Sequence, residues 1–255
     1  MYREQGDLDK AIEIHKKANQ INPEYPYLHT NISILYSKKN MQEEVIKENQ
    51  EALKLNPDYL IAHKFLGQAY YKLKKFPEAI SEYEISLKEE PNDVSLMTLI
   101  ASLYSRIGNY DKALALNNKI LKIAPKTPNT HFSIAIIYQM KGDNKRAKEE
   151  YLKELEIVPD NAIALYSLGT LYYEEENFYQ ATQKLERALK NNKSLDKSVF
   201  MNLCLAYKKL GNIEISTIHL NNYLEIANEV LKEEPINADL LFELGYLYQE
   251  LGSHQ

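Results

Sequence analysis

The stretch His63-Lys64-Phe65-Leu66-Gly67-Gln68-Ala69-Tyr70 decides how this chain folds, because the chain keeps restating it. Leu165-Tyr166-Ser167-Leu168-Gly169-Thr170-Leu171-Tyr172 is a second version. The closing tyrosine belongs to a series of Tyr2, Tyr36, Tyr70, Tyr104, Tyr138, Tyr172, Tyr207 and Tyr248, whose steps are 34 residues five times, then 35, then 41. A fixed period of this length means a stack of like units that bury their apolar faces against one another.

With that tyrosine numbered position 11 of each unit, position 8 is always small: Ser33, Gly67, Ala101, Ala135, Gly169, Cys204 and Gly245. Position 7 is isoleucine or leucine throughout, from Ile32 to Leu244. Positions 4, 7, 8 and 11 share one face of a helix, and the small residue lets a second helix approach closely. Position 20 supplies a second small contact on that second helix: Ala11, Val45, Ala79, Ala113, Ala147, Ala181 and Ser216. Pro23, Pro57, Pro91, Pro125 and Pro159 recur at position 32 and mark the break before the next unit.

The eight glycines check this register, since each lies at position 8 or position 15. Gly6, Gly108, Gly142, Gly211 and Gly252 hold position 15, where a left-handed residue ends the first helix. Asn40 takes the same place in one unit, while Lys74 and Glu176 are poorer occupants. The segments after these glycines restart a helix with acidic residues near its N-terminus, which suits the helix dipole. Pro77 falls in the first turn of such a helix, where proline is tolerated. Each unit is therefore helix, turn, helix, break.

This pattern resembles the tetratricopeptide repeat, with His63 to Tyr70 in the first helix, Ala79 and Tyr83 in the second, and Pro91 at the end. The resemblance covers residues 1–255 as a single solenoid domain. A partial unit spans 1–25, full units begin near residues 26, 60, 94, 128, 162 and 197, and a last first-helix spans 238–251. Both ends read as cut within a repeat. The resemblance implies an all-α, right-handed superhelical solenoid of antiparallel helix pairs. It also implies a concave groove, lined mostly by first helices, that holds a peptide or helical segment of another protein.

The family's groove positions are 2, 5, 9, 12 and 13. In the earlier units they bring Lys64, Gln68, Tyr71, Lys72 and Arg106, a polar and mildly basic set. In the later units they bring Phe132, Ile136, Met140, Tyr166, Thr170, Tyr173, Met201, Leu205, Phe242 and Tyr246, an apolar and aromatic set. The expected partner is a protein or peptide segment, partly apolar, with acidic residues toward Lys64, Lys72 and Arg106. Tyr166 and Tyr173 are expected to face the groove and to be removable without unfolding the chain. Some family members grip a C-terminal carboxylate with a Lys/Asn/Arg set. Here Leu99 replaces an expected asparagine, and Asn129 and Ser133 replace the last basic pair, so that activity is not carried over.

Other chemistries find little support. His29, His63 and His131 share position 4, but stacked helices about 8–10 Å apart do not bring one histidine per unit to metal-bond distance. They read as packing groups, as does Cys204 at its small position. Every glycine serves the repeat, leaving no phosphate-cradling loop, and no His-Glu-x-x-His or paired-cysteine motif occurs. No catalytic residue, metal or cofactor is therefore expected. A net charge of −5 offers no global attraction to nucleic acid. No apolar run reaches the length of a membrane span, and the first residues lack a signal-peptide core. One cysteine among 255 residues suits a reducing, cytoplasmic setting. The alternative reading is a non-catalytic arm that positions substrate or partner for a larger multidomain enzyme. A third is self-association through the unfinished last unit.

The 41-residue step comes from seven extra residues in Ile213 to Glu234, before Pro235. Seven residues are two helical turns and leave the face only about 20° out of phase. A longer helix with Ile218, Leu224, Val230 and Leu231 on one apolar face is expected.

Overall fold

The computed structural model describes residues 2–192 and 196–252. Met1, the side chains of residues 2–6 (which include Tyr2 and Gly6) and residues 193–195 of the loop before the sixth unit lie outside the described set. Among the described residues there are fourteen α-helices and no strand.

The chain divides into two compact units. The first, Met1–Pro125, holds α1 (Tyr2–Ile21), α2 (Pro26–Lys38), α3 (Gln42–Leu55), α4 (Leu60–Lys72), α5 (Phe76–Glu89), α6 (Val94–Arg106) and α7 (Tyr110–Ile123). The second, Lys126–Gln255, holds α8 (Thr130–Met140), α9 (Asn144–Ile157), α10 (Ala162–Glu174), α11 (Phe178–Asn191), α12 (Asp196–Lys209), α13 (Ile213–Glu233) and α14 (Ala238–Gly252). In each unit the main packing is between helices consecutive in the chain, as the helix-pair pattern requires.

The turn inside each pair is one repeated device. Asn40, Lys74, Gly108, Gly142, Glu176 and Gly211 all have φ between 58° and 78°. The next residue's N–H donates to the carbonyl of the recurring tyrosine, at 2.8–3.0 Å from Tyr36, Tyr70, Tyr104, Tyr138, Tyr172 and Tyr207. This is a Schellman ending, and it gives position 11 a backbone role besides its ring. Lys74 and Glu176 are thus held in a left-handed conformation that lacks glycine's freedom. Gly6 departs from the series, because α1 runs through it without a break.

Acidic residues do stand in the first turns, as Glu43, Glu78, Asp111 and Glu214, and the residue after position 15 is in addition a side-chain cap. Asn109, Asp143, Asn177 and Asn212 accept from the N–H three residues on. Asp93, Asn161 and Asn237 do the same for first helices. The helix expected from Pro128 begins at Thr130 instead. Its N-terminus is capped from another helix, since buried Glu154 accepts from the N–H groups of Asn129 at 2.8 Å and Phe132 at 3.2 Å.

Two of the small positions show the close helix approach expected of them. A Cβ on Gly67 would lie 2.6 Å from the Tyr83 ring, and one on Gly169 would lie 2.8 Å from Leu185. α13 is the long helix expected, and Leu224, Val230 and Leu231 pack on the core there. Ile218 is exposed, so it does not belong to that face.

Candidate functional site

Within the first unit, groove positions of α4 and α6 meet around a ring that the sequence reading passed over. Tyr71 tilts against Phe76 with ring centroids 6.2 Å apart. The Arg106 guanidinium stands over the Phe76 ring, 5.3 Å from its centroid. Gln68, Tyr71, Lys72 and Arg106 are all exposed. Lys64 is engaged by Glu90 at 2.8 Å, which removes it from the free positive charge expected at this surface. Phe76 sits two residues past the left-handed turn. A ring immediately before Pro77, on the far side of that turn from Tyr71, was the available signal.

In the second unit the apolar set separates into covered and open residues. Phe132 packs on Tyr151 at 5.8 Å, and Ile136 joins the same core. Tyr166 lies against the Leu185–Val199–Leu203 cluster and its hydroxyl accepts from Asn202 at 3.2 Å. Tyr173 packs edge-on to Phe178 at 5.3 Å, and burial pushes its phenol up to about 12. Met201 packs in the cluster around Tyr223 and Leu240. Thr170 spends its hydroxyl on the Ser167 carbonyl. Leu205 is only 3% exposed, which corrects its assignment to a partner surface. The extended α13 supplies Tyr223 and Ala227, α14 supplies Leu240 and Leu247, and together they close over it. Tyr166 and Tyr173 are half-buried and pack against core clusters, which weighs against the expectation that they can be removed without cost to folding. Met140, at 65% exposed, Phe242, at 80%, and Tyr246 remain open. Lys208, also at a groove position, donates to the Glu250 and Leu251 carbonyls at the end of α14.

The three position-4 histidines are neither metal ligands nor plain packing rings. His29, His63 and His131 each meet a glutamate of their own second helix, namely Glu48 at 2.8 Å, Glu82 at 2.5 Å and Glu150 at 2.6 Å. In the sixth unit the same pair of positions is Phe200 stacked on His219 at 5.8 Å. Burial holds the His219 imidazole below its ordinary value, against the opposing pull of Glu186. Burial likewise pushes the Cys204 thiol up, away from the thiolate a nucleophile needs. Among the described residues, no group of three His, Cys, Asp or Glu side chains is placed to hold a metal ion. No described helix is long and apolar enough to cross a membrane.

Models of the tetratricopeptide repeat match residues 46–94, 66–128 and 1–25. No curated protein sequence matches the chain. Among solved structures, the chain resembles pilF of Pseudomonas aeruginosa with TM-score 0.65 and 13% identity, covering 90% of this chain and 97% of that one. The C-terminal part of a TPR repeat-containing protein from Cytophaga hutchinsonii gives 0.64 and 14%, covering 96% and 99%. YrrB, a TPR protein with an unusual peptide-binding site, gives 0.58 and 21%, covering 71% and 94%.

Proposed function

This chain is a tetratricopeptide-repeat protein, and from that premise we propose that it is an interaction scaffold that holds a segment of another protein. The observation that carries this reading is the open cluster of Tyr71, Phe76 and Arg106 on the first unit. An exposed ring packed on a half-buried one beside a guanidinium suits a partner that offers an apolar or aromatic side chain next to a carboxylate. Lys72 adds a second cation at the same surface. Lys64 does not contribute while Glu90 holds it. The peptide-binding description of YrrB is consistent with a segment of this kind, at the level of fold.

The test is affinity capture from source-cell lysate with the full chain and with Tyr71→Ala/Arg106→Glu side by side. Both side chains are exposed, so the variant is expected to fold. The variant should retain about a tenth or less of the wild-type capture, as loss of a ring and reversal of a charge at one site removes well over 1.4 kcal/mol. Equal capture by both proteins overturns the assignment of this surface.

A further inference from the structure

The turns inside the helix pairs share one backbone, and two of them carry opposite charge. Tyr71-Lys72-Leu73-Lys74-Lys75-Phe76 leads from α4 into α5, and Tyr173-Glu174-Glu175-Glu176-Asn177-Phe178 leads from α10 into α11. Lys74 and Glu176 are both left-handed, at φ 59° and 58°. Lys75 donates its N–H to the Tyr70 carbonyl at 2.9 Å, and Asn177 donates to Tyr172 at 2.8 Å. The flanking rings pair in both, Tyr71 with Phe76 at 6.2 Å and Tyr173 with Phe178 at 5.3 Å. On this common frame Lys72 stands where the other turn has Glu174, and Lys74 where it has Glu176. Among the described turns of this kind, these two place neither glycine nor asparagine at the left-handed position, so a charged side chain is kept there against backbone preference.

These charges are left largely unneutralised within the chain. Lys72, Lys74 and Lys75 are exposed and, among the described residues, none of them has an acidic partner. Glu176 is likewise exposed and has no cationic partner there. Glu174 meets the Asn144 amide at 3.2 Å, and Glu175 is the one held by a cation, Lys148 at 2.5 Å. On other turns of the same kind Lys39 is met by Asp9, Asp143 by Arg146 and Lys209 by Glu250. Tyr179, at 61% exposed, adds an open ring beside the glutamates. Lysines already stand over tyrosine rings within the chain, Lys112 on Tyr104 at 4.9 Å and Lys148 on Tyr172 at 5.3 Å. We propose that the lysine turn of one copy docks on the glutamate turn of a second copy, its ammonium groups meeting Glu174, Glu176 and the Tyr179 ring. Charge complementarity selects this occupant, because two lysine turns or two glutamate turns repel. Exposed ion pairs are individually weak and are screened by salt, so the association is weak and salt-sensitive. Of the proposed partner surface it involves only Lys72, so it goes beyond that reading and does not rest on it.

Sedimentation of the full chain over a wide concentration range, at about 0.05 M and about 0.5 M salt, is the test. Wild type should gain mass with concentration at the lower salt, and its association should be roughly tenfold or more weaker at the higher. Lys74→Glu/Lys75→Glu and Glu174→Lys/Glu176→Lys should each remain single chains, with unchanged folding by circular dichroism because all four side chains are exposed. Lys74→Glu alone, which matches what already stands at Glu176, is the milder variant and should weaken association in the same direction. Mixed, the two double variants should associate, since one carries two acidic turns and the other two basic ones. A chain with all four substitutions should associate as wild type does. A wild type that stays a single chain at low salt, a double variant that associates like wild type, or a mixture that stays unassociated overturns the proposal. Every variant leaves Tyr71 and Arg106 in place, so lysate capture reports on the proposed partner surface separately.

Discussion

Gly67 on α4 and Gly245 on α14 hold the same place in the repeat and have opposite surroundings. The Tyr83 ring of α5 closes over Gly67, while nothing stands over Gly245. The same contrast separates Tyr104, buried and hydrogen-bonded to Glu84, from exposed Tyr248. The difference teaches that the repeat code specifies a surface shaped for a helix, and a neighbour decides whether that surface is core. Identical residue types are stabilising packing in one region and an uncovered face in the other.

The largest effect should come from testing covered against open rings. Tyr166→Ala with Tyr173→Ala removes two side chains packed against core clusters and should lower unfolding free energy by about 4 kcal/mol in urea titration. Phe242→Ala with Tyr246→Ala, on the open face, should shift it by about 0.5 kcal/mol or less. Next, Gly67→Leu forces a side chain into the Tyr83 ring and should cost about 3 kcal/mol, whereas Gly245→Leu costs nothing and gains helix propensity. Equal losses at the two glycines would remove the basis of the contrast. The smallest effect concerns the turn that both regions share. Lys74→Gly relieves a lysine at φ 59° and should raise stability by about 1 kcal/mol, measured as a shift of the urea midpoint.

Much of the architecture was legible because it is written locally. Leu66 and Gly67 on one helical face, Gly108 and Gly142 at the left-handed turn, and the prolines between units act within a few residues of themselves. The groove was less legible. Lys64 and Lys72 read alike in sequence, yet Glu90 takes the first. Half-buried Phe76, which joins Tyr71 to Arg106, lies outside the family's groove positions because it reaches that surface from the second helix. The histidines at position 4 read as packing groups, and their glutamate partners came into view only when both helices were placed together.

The sequence by itself determined the period, the pairing of helices, the lengthened α13 and most of the places where helices stop, Gly6 within α1 being an exception. Those follow from hydrophobic spacing and backbone preference, which need only a few neighbouring residues. Tertiary structure alone decided which side chains are available. It buried Leu205 beneath α13 and α14, committed Lys208 to the end of α14, and left Leu241, Gly245 and Tyr248 uncovered. Exposure is a property of what packs alongside, and those neighbours lie far along the chain.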